Sequence, residues 1–151
     1  MLHARGHMSW MLFSVFVLFV PFLMAVDPAV IINSGSTNTA GFLIQVSPSG
    51  EAVYTLHPRR GGPPSEEPAK PVTRQLPSAV VKRFFDALEA GKPLASLPHQ
   101  RCMKSVSFGS TLVVEYGDQK TPDLSCGNQQ DSRTKALAQS ANEIVTQFNT
   151  H

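Results

Sequence analysis

The chain has 151 residues, of which 42% are hydrophobic, and its 13 basic and 11 acidic side chains give a formal net charge of +2. This length fits one domain with one modest core. A nearly neutral chain without a run of basic residues offers no electrostatic attraction to nucleic acid. We therefore expect no nucleic-acid partner.

The first 25 residues have the three regions of a secretory signal peptide. Arg5 lies in a short segment without acids, a charge-free run extends from Met11 to Val26, and Pro21 interrupts this run near its end. The run is shorter than the about 20 residues that span a bilayer. We therefore predict cleavage near Ala25 and export of the remaining chain. The alternative is an uncleaved N-terminus that anchors the domain in a membrane, the only membrane contact that we predict.

Residues 26–151 are predicted to form a single α+β domain. The polar loop Asn33–Thr39 precedes an alternating segment, Gly41–Val46, and a turn leads to a second β-rich segment, Glu51–Leu56. Alternation of this kind is typical of half-buried strands, so the two segments predict a β-hairpin. From residue 57 to 71 the chain is rich in Pro, Gly and charge and has little to bury, which predicts a mobile loop inside the domain.

The second half of the chain predicts two amphipathic helices with β-rich segments between them. The first helix begins at Pro77 and ends at Gly91, and the second runs from about residue 132 to 148. Their apolar residues recur at spacings of three and four: Val80, Val81, Phe84, Phe85 and Leu88 in the first, and Leu137, Ala141, Ile144, Val145 and Phe148 in the second. Between them, Lys104–Phe108 and Thr111–Tyr116 read as two paired strands or as one strand with a bulge.

The predicted order is therefore ββ-α-ββ-α. A small antiparallel sheet with both helices on one face would bury all the apolar stripes at once. In an exported chain the pair Cys102 and Cys126 predicts a disulfide. Two free thiols and a metal-binding pair are the alternatives, but the spacing of the two cysteines matches no zinc pattern.

Three segments resemble an uncharacterised family of small exported bacterial proteins. They are the Gly/Ser/Thr/Asn loop that starts at Asn33, the Lys-Ser-Val-Ser-Phe-Gly run after Cys102, and the Pro-Asp-Leu stretch before Cys126. The resemblance covers most of the chain from Ile31 onward, except the Pro-rich segment, and it implies this fold order and the disulfide. The predicted signal peptide indicates a periplasmic or extracellular location. It implies no activity, and no catalytic residue is carried over.

The candidate binding residues lie in two places. Asn33, Ser34, Ser36, Thr37 and Asn38 form a loop whose backbone amides could bind an anion, although no Lys follows as in a phosphate-binding loop, and a plain polar turn is the simpler interpretation. Asp123 could pair with Lys104, join Glu115 in a binding groove, or cap a turn beside proline.

The sequence contains no catalytic constellation. His57, His99 and His151 lie in loops or at the chain end, without the fixed neighbours that a catalytic base or a metal ligand needs. We expect no cofactor and no metal. The leading hypothesis is a non-catalytic exported domain that binds a protein, a peptide or an envelope component. The alternative is a small secreted hydrolase whose site is assembled only in the fold, as a pocket that holds Asp123, Glu115 or Ser36 beside a buried histidine.

Overall fold

A computed structural model of the chain describes residues 27–59, 70–127 and 130–149. The predicted signal peptide and most of the Pro-rich segment (residues 60–69) lie outside the described residues. The strands are β1 (Ala29–Asn33), β2 (Gly41–Val46), β3 (Glu51–His57), β4 (Val72–Gln75), β5 (Leu112–Tyr116) and β6 (Gln119–Lys120). The helices are α1 (Ser78–Gly91) and α2 (Ser132–Asn149), with a short 3₁₀ helix at Leu94–Ser96.

The strands form one antiparallel six-stranded sheet in the order β4-β3-β2-β1-β5-β6. β1 lies inside the sheet and pairs with both β2 and β5, with Ile31 opposite Ile44 on one side and opposite Val114 on the other. Because β1 ends where β2 and β5 begin, the loops at these strand ends leave the sheet side by side.

The core lies between one face of the sheet and the two helices. Ile31, Ile44 and Val114 are fully buried on that face, and Phe84 of α1 and Ile144 of α2 are fully buried against the same cluster. These helix residues belong to the stripes of spacing three and four, so the helices present their apolar sides to the sheet. The predicted α+β class, with an antiparallel sheet and two helices, is confirmed.

Three strands of the sheet are absent from the prediction: β1, β4 and β6. In β1, Val30 and Ile32 alternate with the buried residues but are themselves apolar and partly buried. A central strand with two apolar faces has no alternation, so the pattern that identifies half-buried strands fails there. β4 and β6 have four and two residues and are too short for a periodic signal.

The predicted strand Lys104–Phe108 is wrong, because this segment is a loop with a turn. β5 has no free edge for it: one edge is paired with β1 and the other with the chain that follows β5. Beyond β6, the amides of Thr121 and Leu124 continue this pairing by donating to the carbonyls of Val114 and Leu112, at 2.9 and 2.7 Å. The segment from Lys104 to Phe108 is therefore left outside the sheet.

Candidate functional site

Two loops lie side by side at one end of the sheet, and we call residues 34–40 and 101–111 together the loop pair. The amide of Ser34 donates to the carbonyl of Thr111 at 3.0 Å, and the amide of Thr111 donates to the hydroxyl of Ser34 at 2.9 Å. Further along, the amide of Asn38 donates to the carbonyl of Ser107 at 3.2 Å. The loops are therefore joined to each other at both ends by main-chain hydrogen bonds.

Ser36 holds the first loop in shape from the inside. It is 2% exposed, and its hydroxyl donates to the carbonyl of Ser107 at 2.8 Å while it accepts the amides of Asn38 and Thr39 at 3.3 and 3.1 Å. Gly35 has a φ of +60°, and a Cβ there would lie 2.5 Å from the amide nitrogen of Gly41, so no other residue fits without movement.

The amides of this loop are already engaged within the protein. The amide of Gly35 donates to the side-chain carbonyl of Asn33 at 2.9 Å, and that of Ser36 donates to the carbonyl of Thr39 at 2.8 Å. An anion bound by these amides would have to displace internal hydrogen bonds. The geometry is that of a serine-stabilised polar turn, and it supports the simpler of the two sequence interpretations.

Lys104 and Asp123 are brought together, and they hold the second loop. The ammonium group of Lys104 pairs with one oxygen of Asp123 and also donates to the Ser125 hydroxyl and, at 2.7 Å, to the carbonyl of Ser110. The other oxygen of Asp123 accepts the amides of Leu112 and Ser125, both at 3.0 Å. The side chains of Lys104 and Asp123 are only 25% and 14% exposed.

The electrostatics of this cluster favour the ionised aspartate. Burial by itself disfavours the charge of Asp123, but the hydrogen bonds from Lys104, Ser125 and Leu112 outweigh it and lower the pKa of Asp123 below its usual value. Asp123 is thus an internal anchor for the loop and has few lone pairs left for a ligand. Glu115, the other predicted neighbour, instead pairs with Lys120 at 2.8 Å.

The predicted disulfide between Cys102 and Cys126 is present, with the two Cα atoms 5.7 Å apart. Cys126 is buried, and it lies next to Ser125 of the Lys104–Asp123 cluster, while Cys102 is exposed. The second loop is therefore attached to the body of the domain covalently at residue 102 and by an ion pair two residues later.

Three apolar side chains on this attached loop point into solvent. Met103 is fully exposed, Val106 is 85% exposed and Phe108 is 70% exposed; we call these three the apolar tip. The residues from Arg101 to Val106 are all exposed, although the side chain of Lys104 is turned toward Asp123 and is only 25% exposed. Single exposed apolar residues are ordinary on a protein surface, but three within six residues of one fixed loop are not.

The candidate residues of the sequence are therefore distributed as follows. Asn33, Ser34, Ser36, Thr37 and Asn38 line the first loop, Lys104 and Asp123 anchor the second, and the hydroxyl of Thr37 donates to the carbonyl of Val106 at 3.4 Å. The two predicted groups converge on the loop pair, and Asn33 also borders a groove beside α2. The sequence analysis missed the apolar tip because it assigned Val106 and Phe108 to a strand. The sequence signal for a loop at the apolar tip is Ser105 and Ser107 within the segment, together with Gly109 directly after it.

Among the described residues, Ser125 is the one whose hydroxyl lies beside both an amine and a carboxylate. A serine nucleophile needs a neighbour that accepts its proton. Lys104 pairs with Asp123 and donates to the Ser125 hydroxyl, and an ammonium group has no lone pair to take a proton. Ser125 in turn donates to the Ser110 carbonyl or to Asp123. The arrangement attaches a loop and does not activate a nucleophile.

The remaining candidates lie apart from the loop pair. His57 and His99 are exposed, and His151 lies outside the described residues. Within residues 27–59, 70–127 and 130–149, no group of three metal-binding side chains occurs. None of the helices described is both long enough and apolar enough to cross a membrane. Comparison with models of protein families, with curated proteins and with solved structures gives no match.

Proposed function

We propose that the chain is an exported, non-catalytic binding domain that uses the loop pair to engage a protein, a peptide or an envelope component. The observation that carries the proposal is the apolar tip: Met103, Val106 and Phe108 are exposed on a loop that the disulfide at Cys102 and the ion pair at Lys104 attach to the domain. The partner that fits best is a protein with a concave apolar site, because the tip projects and its side chains are apolar.

The energetics support this interpretation. Exposed apolar side chains contribute little to folding, whereas burying a side chain such as that of Phe108 in a partner is worth about 1.5–3 kcal/mol. Ordering a flexible loop on binding reduces affinity, and this loop is already ordered by the disulfide, by Lys104 and by Ser36. Aromatic residues such as Phe108 are also enriched at the centres of protein interfaces.

Export is part of the proposal and rests on two features. The N-terminal segment has a charge-free run that ends at Val26, and disulfides such as Cys102–Cys126 persist in oxidising compartments. The periplasm and the cell exterior both satisfy these conditions. The mass of the protein recovered outside the cytoplasm tests export, since cleavage near Ala25 removes the signal peptide and an anchored chain keeps it.

The hydrolase alternative finds less support. Its site requires Asp123, Glu115 or Ser36 in a pocket beside a buried histidine, and the described histidines are exposed. Ser36 is buried, but its hydroxyl is engaged with main-chain groups of both loops. These features favour binding as the role of the loop pair.

The binding test compares two variants that remove exposed apolar side chains from different places. In the tip variant, Met103, Val106 and Phe108 are each changed to Ser. In the control, Leu56→Ser and Val72→Ser, the altered residues are 39% and 45% exposed and lie outside the loop pair. Each immobilised protein is incubated with envelope and exported proteins from the source cell, and a retained partner is then purified and titrated.

We expect the wild type and the control to bind this purified partner equally, and the tip variant to bind at least about tenfold more weakly, the equivalent of about 1.4 kcal/mol. Equal binding by the tip variant would place the interface elsewhere and overturn the proposal. Turnover of a substrate by the purified domain would favour the hydrolase instead.

A further inference from the structure

A groove of about 400 Å³ borders Cys126 and lies between α2, the sheet and the segment that follows Asp123. Its floor is apolar and includes Phe42, Leu112 and Leu124. Ligand sites in proteins are commonly concave, have this volume and combine an apolar lining with a few polar groups. The groove therefore has the size and lining of a ligand site.

One wall of the groove is a row of polar side chains on α2. Lys135, Gln139 and Asn142 are spaced by four and three residues, so they project from the same side of the helix. The opposite wall carries the hydroxyls of Ser110 and Ser125. Hydrogen-bonding groups thus face each other across an apolar floor.

The charge of the groove is one-sided. Lys135 is the one charged residue of the lining, and it makes no ion pair with another described residue. The acids nearest to it along the chain are already engaged, since Asp131 pairs with Arg133 and Glu143 pairs with Arg83. An anionic group placed at this end of the groove would meet one cation and no competing carboxylate.

We propose that this groove binds the C-terminal residues of a peptide that ends in an apolar side chain and a free carboxylate. The carboxylate lies at Lys135, the apolar side chain lies on the floor at Phe42 and Leu124, and the peptide amides meet Gln139, Asn142 and the serine hydroxyls. Capture of a C-terminal carboxylate together with the residue before it is a recurring mode of peptide recognition.

A peptide fits these walls better than a fatty acid does. The hydrocarbon tail of a fatty acid would cover the polar end of Gln139 and the side-chain oxygen of Asn142, whose amide nitrogen already donates to the Ala138 carbonyl at 2.9 Å. Covering these groups without hydrogen-bond partners costs free energy, whereas the main chain of a peptide supplies such partners.

Ser110 belongs to both the loop pair and the groove, but the residues on which each proposal depends differ, so the inference holds whether or not the apolar tip binds a partner. The two are distinguished by their variants: changes at Met103, Val106 and Phe108 leave the groove intact, and a change at Lys135 leaves the tip intact. Lys135 lies on the exposed surface of α2, so its substitution leaves the fold unaffected.

The test is a titration of the isotope-labelled protein with N-acetylated pentapeptides that end in Leu, Val, Phe or Ala, followed by NMR. We expect at least one to bind with a Kd of about 1 mM or tighter, with shift changes concentrated at residues 124–127 and 135–145. The same peptide with an amidated C-terminus should bind about fivefold more weakly, as should the variant Lys135→Gln, which is the effect of losing one exposed ion pair. Lys135→Glu should weaken binding further.

The matched control is Lys70→Gln, which removes one exposed charge outside the groove and should leave the Kd unchanged. The proposal is overturned if none of the peptides shifts these residues at about 10 mM, well above the expected Kd. It is also overturned if the amidated peptide binds equally well, or if decanoate binds in a Lys135-dependent manner while the peptides do not.

Discussion

The segments Gly41–Val46 and Lys104–Phe108 both alternate in sequence, yet one is a strand inside the sheet and the other is an exposed loop. In β2, Ile44 and Val46 are fully buried because β1 and β3 pair with both edges of the strand and the helices cover one face. In the loop, Val106 is 85% exposed. An alternating segment therefore forms a strand only where a neighbouring strand has an unpaired edge. Apolar residues outside the sheet remain exposed and can contact a partner.

The largest difference in stability between the core and the exposed loop is expected from substituting one phenylalanine in each. Phe84, in the same buried core as Ile44, is fully buried, while Phe108 is 70% exposed. Phe84→Ala should lower the free energy of unfolding by about 4 kcal/mol because it removes buried contacts and leaves a cavity. Phe108→Ala should change it by less than about 0.5 kcal/mol.

Urea denaturation of both variants measures this contrast. Because the two substitutions remove the same atoms, the difference between them reports burial alone. A loss of more than about 1 kcal/mol in Phe108→Ala would exceed the range of ordinary surface substitutions. It would show that Phe108 packs against the domain, and the apolar tip would lose its central residue.

Removing the disulfide tests whether the Cys102–Cys126 bond holds the second loop against the rest of the domain. Replacing both Cys102 and Cys126 by Ser opens a covalent loop of about 25 residues, which the chain-entropy model values at about 3 kcal/mol. The far-ultraviolet circular dichroism should be unchanged, because the strands and helices do not depend on this bond. The apolar tip should become more mobile, with lower NMR order parameters at residues 102–108.

Reductant provides the control for this experiment. It should destabilise the wild type by the same amount as the double substitution and have no effect on the variant without cysteines. If the wild type keeps its full stability under complete reduction, then the hydrogen bonds of Lys104 and Ser36 hold the loop by themselves.

The fold was predictable to the extent that it depends on local patterns. The stripe of α1 and the alternation of β2 are properties of short segments, and both were read correctly. β1 could not be recognised, because a strand with Val30 and Ile32 on its second face has no alternation. The partner of β5 depends on the pairing of Thr121 and Leu124, which is a property of the assembled sheet.

Some features of the candidate site could likewise be predicted from local sequence, and others could not. The Lys104–Asp123 pair and the disulfide were predictable, since opposite charges and paired cysteines carry their own chemical preference. The convergence of the two loops was not, because it follows from β1 lying between β2 and β5. The groove beside α2 was not predicted, because polar residues at the spacing of Lys135, Gln139 and Asn142 are typical of any solvent-exposed helix face.

A smaller loss of stability than at Phe84 or at the disulfide is expected at Asp123, and it depends on pH. The pKa of Asp123 is lowered in the folded protein, so its ionised form contributes stability above the pKa of the unfolded state, about 3.9. That contribution is lost as the pH falls through the lower pKa of the folded state. At pH 7, Asp123→Asn should reduce the free energy of unfolding by about 2 kcal/mol, the value of hydrogen bonds to a charged group.

Asp86, an exposed carboxylate, provides the control for Asp123. Comparing the two substitutions tests whether the loss of stability is specific to the carboxylate that anchors the second loop. Asp86→Asn removes an acid that pairs with Lys82 on the surface of α1, where both side chains are more than half exposed, and it should cost less than about 0.5 kcal/mol at pH 7. Denaturation of the wild type, Asp123→Asn and Asp86→Asn at pH 7 and near pH 2 distinguishes the contributions of the two carboxylates to stability. The gap in the free energy of unfolding between wild type and Asp123→Asn should narrow in acid, because below about pH 3.9 the unfolded state takes up a proton at Asp123 and the advantage of the ionised carboxylate declines. A gap that stays constant across this range would mean that Asp123 acts by its shape and hydrogen bonds, and that its charge does not hold the loop.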